Sequence, residues 1–212
     1  MTVAEELKFA FVSFTAVLFV VDPFAALPIF IGITRGETPE RRRKLAWRAA
    51  LAAYATLVLF SLAGGLIFQM FGISLAAFKI AGGLMLLIMS FDMMRAQPSR
   101  TRSTAEEQEE SAEKEDVAIV PMAIPVLAGP GAIATCMVLM SRAAWQPVRT
   151  VLVLAAITLT AGLTWLVLRS AASAQRFLSR TALHVLERVM GLLLAAVAIE
   201  FVISGLKEVW PG

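Results

Sequence analysis

Asp22 is the residue of this chain best placed to do chemistry. It lies in Val20-Val21-Asp22-Pro23-Phe24-Ala25-Ala26-Leu27-Pro28, in the middle of an apolar run over about 9–33. A charged side chain at the centre of a bilayer costs about 2.5–3.5 kcal/mol on translocon scales, so such groups face a bundle interior or an aqueous path. Two readings of Asp22 fit this setting. Asp is a favoured helix N-cap and Pro a favoured first helical residue, so Asp22 can cap a half-helix that opens at Pro23. The same carboxylate can carry a proton, or hold a substrate ammonium group or Na⁺.

A second interruption supplies the opposite polarity. Pro121-Met122-Ala123-Ile124-Pro125-Val126-Leu127-Ala128-Gly129-Pro130-Gly131 lies within an apolar run over about 117–140. Pro130 suits the start of a half-helix through Ala132, Ile133, Ala134 and Thr135, whose exposed N–H groups carry partial positive charge and suit a carboxylate. Gly131 permits close approach to the backbone. The alternative is a packing kink in which small residues let two helices cross closely. Negative charge at one break and positive dipole at the other match the polarity of an amino acid backbone. The candidate substrate-contacting residues are Asp22, Pro23, Phe24, Ala25, Pro28, Gly129, Pro130, Gly131 and Thr135. Asp22 and Glu200, the latter inside the apolar run from Gly191 to Ile203, are the candidate coupling groups.

Other chemistries find less in the sequence. One His and a single Cys136, far apart, give no metal-ligand spacing, and Cys136 reads as a small packing residue. Neither Asp22 nor Glu200 has a His nearby to form a nucleophile–base pair, so an enzyme is not expected. No cofactor is expected, and no nucleotide-binding motif is present. Lys79 is expected to snorkel to a membrane interface.

The elements that position these residues follow from composition. The chain has 212 residues, 58% of them hydrophobic and only 17% charged, with a mean hydropathy of +0.77. Soluble domains are about a quarter charged. Apolar runs at about 9–33, 49–70, 74–94, 117–140, 149–169 and 184–206 are each long enough to cross a hydrocarbon core of about 30 Å. The fold class expected is an all-α membrane protein with six transmembrane helices. The first run is too long for a signal peptide and is expected to stay on the mature chain.

The net charge of +3 does not indicate a nucleic-acid partner, because the basic residues are not spread over the chain. Arg35, Arg41, Arg42, Arg43, Lys44 and Arg48 follow the first run. Arg95, Arg100, Arg102 and Lys114 follow the third, and Arg169, Arg176 and Arg180 the fifth. With six helices these three loops share one side, which the positive-inside rule makes cytoplasmic. Both termini are then expected outside the cytoplasm, in a bacterial inner membrane. Trp47, Trp145, Trp165 and Trp210 fall near the expected helix ends, as an aromatic belt requires.

A shift of 107–108 positions lays the second half on the first. Pro23 meets Pro130, Pro39 meets Pro147, Gly83-Leu84 meets Gly191-Leu192, and Asp92 meets Glu200. Three helices per half is an odd number, so the halves are expected to be inverted. In inverted repeats, interrupted helices at corresponding positions mark the binding site of secondary transporters. The organisation expected is one integral membrane domain over 1–212. It comprises a first repeat over 1–94, an acidic cytoplasmic linker over 95–117 and an inverted second repeat over 118–212, with the first and fourth helices broken at the midplane.

Asp22-Pro23-Phe24-Ala25-Ala26-Leu27-Pro28-Ile29-Phe30 resembles the D/N-P-x-G-x-x-P-x-F stretch of the MarC family, with Ala25 where glycine is usual. Ala123-Ile124-Pro125-Val126-Leu127-Ala128-Gly129-Pro130-Gly131-Ala132-Ile133-Ala134-Thr135 is similar to that family's second signature. The resemblance extends over essentially the whole chain. It implies a small six-helix carrier of the lysine-exporter-like superfamily, in a family that includes reported neutral amino acid transporters. The function expected is secondary transport of a small zwitterionic solute, a neutral amino acid by resemblance, coupled to a proton or sodium gradient. The partners implied are that solute, the coupling ion and membrane lipid, with a homo-oligomer left open. The alternative is a translocase for a phosphorylated lipid carrier or another anionic amphiphile. It would need a basic residue at midplane, and the sequence places none there.

Overall fold

The computed structural model describes residues 3–34, 36–95, 126–144, 146–170 and 180–210. The described elements are helices: α1 (Val3–Val21), α2 (Pro23–Ile33), α3 (Pro39–Phe71), α4 (Leu75–Met94), α5 (Pro130–Ala143), α6 (Pro147–Arg169) and α7 (Arg180–Val209). Among the described residues, five stretches are long and apolar enough to span a membrane: Val3–Gly32, Pro39–Phe71, Leu75–Met94, Pro147–Arg169 and Arg188–Val209. The first of them joins α1 to α2. The fourth expected span, over about 117–140, is described only from residue 126, and its helical part is the 14-residue α5. Residues 96–117 of the expected linker, together with Pro121 and Pro125, lie outside the described residues.

Proline fixes where four of these helices begin. Pro23, Pro39, Pro130 and Pro147 each open a helix, where a missing N–H removes no intrahelical bond. Thr38 completes the start of α3 by accepting from the Arg41 N–H at 3.3 Å, and Ser74 caps α4 through the Ala77 N–H at 3.1 Å. Helix α3 stops at Gly72, whose φ of 62° is the left-handed conformation that glycine adopts freely at a C-cap. Ala144 adopts the same region at the end of α5, with φ 49°.

Contacts between helix ends fix the relative directions. Arg149 at the start of α6 pairs with Glu6 near the start of α1 at 3.2 Å, so α1 and α6 run the same way. Trp47 near the start of α3 meets Trp165 near the end of α6, with ring centroids 5.8 Å apart, so α3 runs opposite to α6. Lys79 near the start of α4 pairs with Glu208 at the end of α7, and α4 is antiparallel to α7. Arg142, in the last turn of α5, donates to Ser204 Oγ at 2.9 Å, so α5 runs with α7.

Helix α5 lies at the centre: Gly131, Ala132 and the whole stretch from Ala134 to Met140 are buried. The Val3–Gly32 span is the next most enclosed, with 53% of its most apolar window buried, against 22% for α3. Leu59, Leu66, Met70, Val151, Leu159 and Leu192 are all exposed. An apolar surface of that extent belongs against lipid.

Close packing of α4 on α7 depends on glycine. A Cβ at Gly83 would sit 2.7 Å from the Ala198 carbonyl oxygen and 2.8 Å from the Val202 side chain. A Cβ at Gly191 would sit 3.0 Å from the Ser90 carbonyl oxygen and 3.1 Å from Met94. In lipid no hydrophobic effect drives helices together, so such backbone-level contact is what holds them.

Candidate functional site

Asp22 forms the joint between α1 and α2. Its φ of 44° and ψ of 72° place it in the left-handed region, which Asp and Asn tolerate better than other side chains. The Asp22 N–H donates to the Leu18 carbonyl at 2.9 Å, and the Asp22 carbonyl accepts from the Ala26 N–H at 3.2 Å. These two bonds carry the backbone ladder across the joint, so fewer backbone groups are freed there than an interrupted helix suggests. Oδ1 accepts from the Ala25 N–H at 3.1 Å, which makes Asp22 the N-cap of α2. The residue is only 1% exposed, so its carboxylate lies inside the bundle and not against lipid. Pro23 is buried behind it, Phe24 and Ala25 are half-buried, and the Pro28 side chain lies outside the described residues.

The start of α5 has a different local form. Val126 and Leu127 take π-helical geometry, a distortion frequent at functional sites. Gly129 is the N-cap of α5 with φ −66° and ψ 170°, and no side chain caps the helix. Gly129 is buried, whereas Pro130 is exposed. The start of α5 therefore carries its partial positive charge without a local side-chain acceptor. At Gly131 the space a side chain would take is filled, with Leu86 at 2.7 Å and Met89 at 3.1 Å from an ideal Cβ. That face of Gly131 serves the packing of α5 on α4. The buried Thr135 hydroxyl donates to the Gly131 carbonyl at 2.9 Å, a bond within its own helix. Helices α1 and α5 pack directly on one another.

Glu200 is exposed on α7 and makes no hydrogen bond or ion pair with a described residue. It is not drawn into a buried site with Asp22. Lys79 departs from the expected snorkelling: it is 3% exposed and bonded to Glu208. Its α4 position faces α7, so the ammonium group takes its counter-charge from that helix and not from the water beyond the interface.

Sequence reasoning missed a cluster of tertiary charge contacts. Arg142 reaches Ser204 and lies 5.6 Å from the Phe201 ring centroid. Arg149 pairs with Glu6 and lies 5.2 Å from the Phe9 ring. With Lys79–Glu208 these contacts occupy one end of the bundle. Each partner is far away in the chain, and the only sequence signal was a cation in the terminal turn of an apolar helix. Among the described residues no group of His, Cys, Asp and Glu is arranged to hold a metal ion.

Fold and composition define a multi-pass integral membrane protein, built from apolar helices with one buried carboxylate at a helix joint. A family model described as MarC family integral membrane protein matches residues 7–210, and the chain belongs to that family. It is 38% identical over 202 residues to a UPF0056 membrane protein of Methanocaldococcus jannaschii, covering 95% of this chain and 98% of that one. The UPF0056 membrane protein YhcE of Escherichia coli is 34% identical over 200 residues, covering 94% and 92%. YvbG of Bacillus subtilis, another UPF0056 membrane protein, is 34% identical over 199 residues, covering 93% and 94%. No solved structure matches.

Proposed function

We propose that the chain is a secondary transporter of a small zwitterionic solute, a neutral amino acid, coupled to a proton or sodium gradient. The observation that carries the reading is Asp22: a carboxylate 1% exposed, at the joint of two helices within one apolar span. A buried intramembrane carboxylate marks a substrate or ion path. The uncapped start of α5, on a helix in contact with α1, offers the complementary charge for a solute carboxylate.

An inverted repeat, with its two breaks at the midplane, belongs to the same proposal. A shift of 108 positions carries Gly83, Ser90 and Met94 onto Gly191, Ala198 and Val202. The glycine contacts exchange under that shift: Gly83 meets Ala198 and Val202, and Gly191 meets Ser90 and Met94. Gly36 (φ 87°) and Ala144 (φ 49°), the left-handed residues three positions before Pro39 and Pro147, are related in the same way. The basic ends at Arg41–Arg48 and Arg169 then face the cytoplasm, and both termini lie outside it.

The test is a panel of neutral amino acids assayed for uptake and efflux in proteoliposomes, with and without pH and Na⁺ gradients. One or more should move with a gradient in the wild type, and Asp22→Asn should abolish gradient-driven movement while keeping exchange. A panel that moves nothing in either direction would overturn the proposal.

A further inference from the structure

We propose that the joint between the start of α3 and the end of α6 is a binding site for the headgroup of an anionic phospholipid. A cavity of about 360 Å³ opens there, lined by Glu40, Arg43, Lys44, Trp47 and Trp165. Four of these are spaced three or four apart on α3, so they share one helix face. Two cations against one carboxylate leave the cavity positive. Neither Arg43 nor Lys44 makes an ion pair with a described residue. Beside the cavity, the Arg169 guanidinium lies 5.2 Å from the Trp165 ring centroid. The Trp165 indole N–H also has no hydrogen-bond partner among the described residues, although a buried indole N–H usually finds one.

Depth in the membrane selects the occupant. Helix α3 has 33 residues, about 50 Å at the α-helical rise, against a hydrocarbon core of about 30 Å. Its first turns therefore stand in the headgroup layer, and its apolar stretch begins only after Arg48. Trp47 and Trp165 meet edge to face at that level, the depth at which tryptophans anchor helices to the interface. A phosphate held between Arg43 and Lys44 leaves its acyl chains against the exposed Leu51 and Leu166 on the same two helices. Basic pockets between transmembrane helices take acidic headgroups by this combination of charge and depth.

The test is native mass spectrometry of the full-length protein in a neutral detergent, titrated with phosphatidylglycerol, phosphatidylethanolamine or phosphatidylcholine. Inorganic phosphate is a separate arm, read by melting temperature. Phosphatidylglycerol should bind at one site, more tightly than either zwitterionic lipid. Arg43→Gln with Lys44→Gln should weaken it about tenfold or more, since each basic group near the surface contributes severalfold. Lys44→Gln alone should give a smaller loss, and Trp47→Leu a loss with the charge intact. Arg95→Gln with Lys207→Gln removes the same charge elsewhere and should leave binding unchanged. Equal loss in that control would mean diffuse attraction only and overturn the site. Preference for phosphatidylethanolamine, or stabilisation by phosphate alone, would equally overturn an anionic-lipid site. All variants are compared at matched lipid-free melting temperature; Arg43 and Lys44 are exposed, so the fold does not depend on either.

Discussion

Replacing Asp22 by alanine removes two separable contributions. The first is the cap: Oδ1 accepts from the Ala25 N–H at 3.1 Å, and losing an N-cap side chain costs about 1 kcal/mol. The second is the backbone: φ is 44°, and an L-residue without a local polar side chain loses about 1–2 kcal/mol in the left-handed region. Together these place Asp22→Ala about 2–3 kcal/mol below a variant that keeps both contributions. Asparagine is that variant, because it caps about as well as aspartate and tolerates the left-handed region. Glycine loses the cap but accepts positive φ freely, so it should lie near asparagine and well above alanine. Asparagine, glycine and alanine all remove the buried carboxyl group, so comparison among them cancels the cost of burying it. Thermal and denaturant unfolding in one detergent, followed by tryptophan fluorescence, gives the order. Alanine matching asparagine, or glycine falling as low as alanine, would refute a left-handed capped joint.

At the α4–α7 contact, Gly83→Ala and Gly191→Ala should each destabilise by about 1–3 kcal/mol through overpacking, measured as detergent melting. Gly162→Ala, with nothing within 4 Å of its Cβ, should not destabilise. Glu208→Gln strands a buried ammonium, whereas Lys79→Met leaves a carboxylate that is 42% exposed and solvated. Glu208→Gln should therefore melt lower, and the reverse order would contradict the pairing. For topology, Gly36→Cys and Ser170→Cys should label from one side of intact cells and Ile73→Cys and Gln146→Cys from the other. The background is Cys136→Ala, and labelling of all four from one side would break the alternating order of spans.

Membrane class is legible in the order of residues alone, because lipid forces every span to be long, apolar and self-bonded. Helix starts are legible for the same local reason: Pro23, Pro39, Pro130 and Pro147 can open a helix but not continue one. Asp22 stands out from residue type and depth. Its left-handed backbone does not, because Asp at that position is compatible with either an extended or a left-handed cap. The acidic linker and the first part of the fourth span lie outside the described residues, so their reading rests on sequence.

What the sequence by itself determined here is the set of local constraints: apolar length, proline and cap chemistry, and basic clustering at alternate loops. Tertiary structure alone decided which faces meet. It turned Lys79 inward to Glu208 and left Glu200 exposed. It filled the open face of Gly131 with Leu86 and gathered Trp165 with the basic face of α3. The physical reason is that a membrane helix is apolar on most sides, so periodicity gives no inward face. Its rotation is set by where a neighbouring backbone can come within contact of a glycine or small residue, and that is a property of two helices together.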